Sequence, residues 1–484
     1  MRILVIGALG TVGRNLVPAL VQAGHEVSIT SRDPEKSLPW RDLSLRRFTL
    51  DLLDADSLPD ALEGHELVYY LMHGMSDGEA HTQREVRAAK NLSLALPKSS
   101  VKRVIYLGSL VSLNAKSEHM RARVATGKVL AASQLSVIEV RAGIVIAPGS
   151  AAFEVMRDIV GHVPLILGPE SLDNCNCPIA IDNLVVYLIG VSNLTIEGHK
   201  VFDAVGPRWV SYRELMLAIA KQLTKKRKII AVKGFPTALF SKSLGVITSV
   251  PSALAQSLVA GLNERLVAEP SELRALIPQD LIPLDQALKN VAIQEQVKSY
   301  PQKWRDGVPT FRNFSALHGF YAKCASESIT IDASRDDIWQ VINMLGGPKR
   351  YFYGDLLWAM REWMDWCVGG NGRHHGRDDS NKLVVGQRVD SWTILSVEEK
   401  QLLVMRFGMK APGGGGMQLE IKPTKSSNKQ QLKVSLFWHP AGFSGLVYWY
   451  FFAPWHQLLL RGMTKEMSRL AQISNSGSLN NLSD

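Results

Sequence analysis

From Ile3 to Ile6 the chain is unbroken apolar, and from Asn15 to Ala23 apolar residues recur at helical spacing, so the opening reads strand, turn, helix. The alternation continues. Glu26–Ser31, Phe48–Leu52, Leu67–Met72 and Val104–Leu107 read as four more strands, each separated from the next by a helical stretch. Largely apolar strands alternating with helices predict an α/β domain, a doubly wound parallel sheet with right-handed crossovers. From Lys228 to about Ser299 short helical stretches alternate with Pro236, Pro251, Pro270, Pro278 and Pro283. Two prolines and a glycine then break any period over Tyr300–Pro309, which reads as a linker.

Beyond the linker the pattern changes to strands followed by a long helix. Ser328–Ile331 reads as a strand, and Ser334-Arg335-Asp336-Asp337 as a capping box opening a helix through Asn343. Arg388–Val397, Leu402–Phe407, Met417–Lys422 and Leu432–Trp438 read as further strands. A last helix is expected from about Pro454, with Trp455, Leu458, Leu459, Met463, Met467 and Leu470 on one face and Arg461, Lys465 and Arg469 on another. Phe443–Leu460 is charge-free and long enough to be a membrane-span candidate, but Pro454, His456 and Gln457 weigh against it. It is expected instead as a final strand or turn leading into a buried helix, with peripheral membrane contact left open. Eight of the 11 tryptophans lie beyond residue 330, which marks a composition boundary. The expected divisions are 1–299, with its helical part over about 228–299, a linker over 300–325, a second domain over 326–473 and a disordered tail over 474–484.

A chain of 484 residues with 46% hydrophobic content suits two or three globular domains. No charged and apolar leader precedes the first strand, so the cytoplasm is the expected compartment. Cys175, Cys177, Cys324 and Cys367 are too scattered for a disulfide scaffold or zinc cage, and no metal site is expected. The formal net charge of +10 points to an anionic partner. Lys225, Lys226, Arg227 and Lys228 form the dense basic run. It lacks interleaved aromatics, so it reads as a solvated helix end and nucleic acid is not expected. Oligomeric state is not legible.

The chemistry starts in the first turn, where Gly7, Gly10 and Gly13 stand at G-x-x-G-x-x-G spacing between strand and helix. Glycine there allows backbone angles that side chains resist and lets a pyrophosphate approach the backbone, with the diphosphate on the helix N-terminus. A purely structural turn is the alternative. Thr11 and Val12 belong to the same cradle. At the end of the second strand Ser31 and Arg32 replace the acidic residue that would repel a 2′-phosphate, so NADP is favoured over NAD, with Asp33 as the contrary sign. Asp51 and Leu52 are expected beside the adenine, and Leu71 and Met72 at the fourth strand's end. Because such sheets bind ligand at their carboxyl edge, His73 and Ser109 are placed there too.

These residues carry a resemblance. G-A-L-G-T-V-G at Gly7, D-L-L-D at Asp51, R-V-I-Y-L-G-S at Arg103 and R-A-G-I-V-I-A-P-G at Arg141 resemble the extended and atypical short-chain dehydrogenase/reductases, a Rossmann family related to the epimerases and dehydratases. The resemblance implies a small helical substrate lobe after Lys228, packed over the nicotinamide pocket. It implies a structural role for Asn91. It also implies a catalytic serine, met by Ser109, and a tyrosine and lysine four apart on one helix. At those two positions stand His119 and Arg123. The spacing survives while the chemistry changes. Arginine can hold the ribose and histidine can donate a proton near neutral pH, or both residues merely line the pocket.

The second half resembles the SRPBCC, or helix-grip, superfamily, and L-L-W-A-M-R, G-G-N-G-R-H-H-G-R, F-W-H-P-A-G and Y-W-Y-F-F-A-P-W-H resemble an uncharacterised domain fused behind short-chain-type reductases. That resemblance implies an apolar cavity between sheet and long helix, with the glycines at 413–416 as an open mouth. His374 and His375, among Arg373, Arg377, Asp378 and Asp379, read as a charged loop and not as a metal site. Two functions follow as expectations. One is an NADPH-dependent oxidoreductase acting on an apolar small molecule. The other is a non-catalytic NADP(H)-binding assembly, scaffold or sensor protein.

Overall fold

The computed structural model describes residues 1–32, 40, 43–72, 78–112, 117–297, 319–346, 350–370, 382–424 and 429–475, the side chains at 78–81, 296, 297 and 475 excepted. His73, Asp33, the Tyr300–Pro309 segment and the charged stretch with His374 and His375 lie outside the described residues. The chain divides into two compact units, Met1–Ser299 and Tyr300–Asp484.

In the first unit β1 (Arg2–Ile6), β2 (Glu26–Ser31), β3 (Arg46–Thr49), β4 (Leu67–Tyr70), β5 (Arg103–Ser109), β6 (Ser136–Ala142) and a last strand (His199–Ala204) form a seven-stranded parallel sheet. Its order places β1 between β4 and β2, so the chain's path reverses at the carboxyl end of β1. A crevice opens at such a reversal. Alternate β1 residues feed opposite cores. Ile3 and Val5 pack with Leu16 and Leu20 of α1 (Thr11–Gln22), while Leu4 and Ile6 pack with Ala89 and Leu92 of α3 (Gly78–Ala95), the short α2 (Leu58–Leu62) lying beside them. Both faces of the sheet are thus covered, which is why its strands read as apolar runs.

Strand ends differ from the sequence expectation. The third strand ends at Thr49, so Asp51 and Leu52 sit in the turn after it, the fourth ends at Tyr70, just before Leu71 and Met72, and β5 runs on to Ser109. Between β5 and β6 lies α4 (Glu118–Ala131), between β6 and the last strand lie α5 (Ala151–His162) and α6 (Ile181–Ser192), and α7 (Tyr212–Gln222) follows the sheet. The segment after Lys228 is not purely helical. Lys228–Val232 is a strand paired in parallel with Leu165–Pro169, followed by α8 (Thr237–Ile247), α9 (Ser252–Leu262), α10 (Ser271–Leu276) and α11 (Leu284–Val297). Leu273 of α10 returns to the sheet core. Arg227 corrects the solvated reading of the basic run: its guanidinium donates to the carbonyl oxygens of Val160 and Gly161, the latter at 3.1 Å, and so closes the end of α5.

The second unit is a six-stranded antiparallel sheet with three described helices. Its edge strand Lys323–Ile331 starts within the expected linker. Gly413–Pro423 pairs along its whole length with Gln430–Pro440, so the four glycines extend the expected strand Met417–Lys422 at its start. A Cβ on Gly413 would lie 2.7 Å from the Trp438 ring, and one on Gly415 2.3 Å from the Phe437 carbonyl oxygen, so only glycine lets that indole lie across the strand. The helix Arg335–Asn343 opens with the predicted box, Ser334 and Asp337 each accepting from the other's backbone N–H. The helix Asp355–Cys367 follows. A long helix then runs from Gly442 to Asn475. It takes in all of Phe443–Leu460 and the first two residues of the expected tail. The expected strand or turn before Pro454 is therefore helix, and Leu459, Leu460, Met463, Met467 and Leu470 make its buried face while Trp455 and Leu458 are exposed. Among the described residues no helix is long and apolar enough to cross a membrane.

Candidate active site of the first unit

Gly7 ends β1 with φ +87°, a left-handed conformation that glycine adopts without strain, and its missing side chain leaves room for the Leu71 backbone 3.1 Å from where a Cβ would sit. The Gly10 N–H donates to the Gly7 carbonyl at 3.0 Å, which tightens the turn. Gly10 is also the N-cap of α1, and no side chain caps the helix there. The first-turn N–H groups are therefore open toward an anion. Gly13 serves packing: a Cβ on it would lie 2.4 Å from the Ala8 carbonyl oxygen. Thr11 donates its hydroxyl to the Gly149 carbonyl at 2.7 Å, linking the turn to the loop before α5. This cradle fits a dinucleotide diphosphate.

At the opposite side of the crevice Ser109 ends β5, with its hydroxyl 3.8 Å from the Met120 sulfur. Ser117 caps α4 by accepting from the Met120 N–H, and its own N–H donates to Glu264 Oε1 at 2.8 Å, so the segment after α9 fixes the start of α4. His119 and Arg123, one turn apart on α4, then face the same space. Arg123 is 7% exposed. Its Nη1 donates to the Leu107 carbonyl at 3.3 Å, the Tyr106 hydroxyl donates to the Arg123 carbonyl at 3.3 Å, and its Nε is buried without a partner among the described residues. Burial raises the Tyr106 hydroxyl pKa against the pull of Arg123, so this tyrosine stays a neutral prop.

One cavity of about 450 Å³ is lined by Gly7, Gly10, Thr11, Val12, Gly13 and Leu71 and, farther in, by Ser109, His119 and Arg123. The remaining expected residues sit outside that lining, at neighbouring strand ends. Ser31 is buried and bonded through its carbonyl to the Leu50 N–H at 3.1 Å, while Arg32 is exposed. Asp51 spends its carboxylate on the Leu53 N–H at 3.1 Å, Leu52 is buried, and Met72 is 40% exposed. Asn91 donates to the Leu52 carbonyl at 2.9 Å, which gives it a structural task.

The deep wall of the cavity is apolar, with Met156, Phe240, Leu244 and Leu258. Sequence reasoning placed helices there but named none of these side chains. It also missed the network beneath them. Arg157 of α5 binds Glu154 at 2.7 Å and, across 138 residues, Glu295 of α11 at 2.8 Å, while Glu154 accepts from the Gly149 N–H at 2.7 Å. Burial raises the pKa of Glu154 against the pull of Arg157, and pushes Glu295 up to about 7. Nothing local in the sequence signals so distant a pairing.

Residues 7–155 match the family described as NAD(P)H-binding, and residues 321–463 match the family described as a protein of unknown function, DUF2867. Anthocyanidin reductase of Arabidopsis thaliana is 28% identical over 123 residues, 23% of this chain and 36% of that protein. A 3-beta-hydroxysteroid dehydrogenase of Mycolicibacterium neoaurum is 32% identical over 118 residues, 22% of this chain and 32% of that one. The chain thus spans about a third of the length of these curated relatives. A nucleoside-diphosphate-sugar epimerase structure from Staphylococcus aureus superposes with TM-score 0.49 and 18% identity, covering 60% of this chain and all of that one. Sheet order and glycine turn make the first unit a Rossmann fold, and its match over residues 7–155 to the NAD(P)H-binding family points to a nicotinamide dinucleotide as its class of cofactor.

Proposed function

We propose that the first unit is an NADP(H)-dependent oxidoreductase of atypical short-chain type that acts on an apolar small molecule. The observation that carries this reading is the continuity of one cavity from the uncapped start of α1 to Ser109, His119, Arg123 and the apolar wall. When bound, the nicotinamide supplies or accepts the hydride. The first-turn amides of α1 hold the diphosphate, and Arg32, beside the small Ser31, receives the 2′-phosphate. Arg123 holds the nicotinamide ribose. Ser109 orients the substrate oxygen and His119 donates its proton, with Met156, Phe240 and Leu244 excluding water. The names of the two relatives, a reductase and a dehydrogenase, support the reaction class. For the second unit, an antiparallel sheet with one long helix supports a helix-grip, SRPBCC-like reading.

One contact favours the rival reading of NADP(H) binding without turnover: the Ser109 hydroxyl meets the Met120 sulfur at 3.8 Å, a contact that competes with holding a substrate oxygen. The experiment follows NADPH oxidation across quinones, enals and ketones, with His119→Ala as control. Turnover that drops about a hundredfold in the variant supports the enzyme. No oxidation with any acceptor, with NADPH still bound, supports the rival. Calorimetry with NADPH and NADH tests the cofactor: Arg32→Ala is expected to weaken NADPH binding about tenfold and leave NADH unchanged.

A further inference from the structure

The second unit contains a cavity of about 230 Å³ between the helix Asp355–Cys367, the first half of the long helix and the glycine end of its strand. Its walls are aromatic, with Trp358, Trp392, Trp438, Phe407 and Phe452 among them. One permanent cation stands in this setting. Arg361 is 9% exposed, and its guanidinium lies 5.2, 5.3 and 5.9 Å from the ring centres of Phe407, Tyr448 and Phe452. Its Nε donates to the Tyr448 hydroxyl at 2.7 Å. Its Nη2 is buried with no partner among the described residues, and so is Nδ1 of His456 on the facing helix.

The carboxylates nearest in sequence are committed elsewhere. Glu362 binds Arg350 at 2.5 Å, and Asp365 accepts from the Lys410 backbone N–H at 2.5 Å through Oδ1, with its Oδ2 buried and making no hydrogen bond to Arg361 among the described residues. Arg361 makes no ion pair among the described residues, and aromatic faces offset the desolvation of a buried cation only in part, so this guanidinium favours an anion beside it. Burial, aided by the charge of Arg361, lowers the His456 pKa to about 4, so that ring is neutral at pH 7 and adds no second cation. A single guanidinium matches a single negative charge. A phosphate dianion would need more donors than this site holds.

We propose that this cavity binds an amphipathic monocarboxylate, its apolar body between the tryptophans and its carboxylate on Nη2 of Arg361. The exposed side chains of Met360, Met364 and Phe451 border the cavity and form its entrance. The proposal is independent of the cofactor reading, since every residue it uses lies in the second unit.

The test titrates the full chain with 6-bromo-2-naphthoate and with its neutral amide, following quenching of tryptophan fluorescence by the heavy atom. Trp40 and Trp209 of the first unit are not in the lining of that unit's cavity, so quenching reports the second unit. The carboxylate is expected to quench saturably and to bind about tenfold or more tightly than the amide, because only it compensates the guanidinium. Octanoate is expected to displace it. In Arg361→Met the preference for the carboxylate is expected to vanish. Should that variant not fold, the comparison of acid with amide on the unaltered protein decides alone. No saturable quenching, equal affinity of acid and amide, or a preference that survives in folded R361M would each overturn the proposal.

Discussion

A Cβ on Gly13 would lie 2.4 Å from the Ala8 carbonyl oxygen, so α1 reaches β1 only with glycine at this position. Gly13→Ala is expected to cost about 2–3 kcal/mol, read as a lowered thermal midpoint, and to weaken NADPH binding in step, because the same displacement moves the first-turn amides. Glu295 gives a second prediction at this scale. Its pKa rises from an ordinary 4.5 to about 7, mainly through burial. A raised pKa means that the folded state holds the proton more tightly than the unfolded one. The resulting stability is present below about pH 4.5 and is lost as pH rises through about 7. Between pH 5 and 8 the native protein should therefore lose about 1–3 kcal/mol relative to Glu295→Gln, measured by urea denaturation at both values. A difference between the two proteins that stays constant with pH would contradict this placement of the carboxyl.

Helix ends show where an element's stability is decided by a residue from outside it. The carbonyls of Val160 and Gly161 near the end of α5 receive the guanidinium of Arg227. Arg227→Met should cost about 1–2 kcal/mol by thermal melting, against less than about 0.5 kcal/mol for Lys225→Met in the same basic run. The run was visible in the sequence, whereas its use was not, since the carbonyls it serves lie more than 60 residues earlier. Elements with local signals were legible. The helix Arg335–Asn343 begins at a capping box written in four consecutive residues, and Glu26–Ser31 and Leu402–Phe407 are strands over the very ranges their patterns suggested. Gly413–Gly416 lay outside the expected strand Met417–Lys422 because glycine ordinarily weakens strands, and here it makes room for Trp438. Phe443–Pro454 misled because its aromatic residues favour strands when read alone, while burial along one side of a 34-residue helix overrides that preference. Ser109, His119 and Arg123 were named through a family resemblance that points to a strand end and a four-residue helical spacing, and all three line the cavity. The pairing of Arg157 with Glu295 spans 138 residues and had no such marker.

Each unit closes its own core, and that organisation makes the last prediction. The described hydrophobic clusters of the first unit draw on residues from Ile3 to Leu281, and those of the second on residues from Ala325 to Ala471. Every residue proposed to cradle the diphosphate, and every residue proposed for the chemistry, also comes from the first unit. A domain near 300 residues buries about three quarters of its unfolded surface, enough to stand alone. The fragment Met1–Ser299 is therefore expected to fold cooperatively and to bind NADPH within about threefold of the full chain's affinity, by calorimetry. Ligand linkage sharpens the comparison: at about a hundredfold excess over Kd, NADPH should stabilise fragment and full chain alike by about 2.7 kcal/mol, because binding to the native state alone sets the shift. A fragment that folds yet binds NADPH more than tenfold weaker would mean that residues beyond 299 complete the cradle. The assignment of cofactor and chemistry to the first unit by itself would then be wrong.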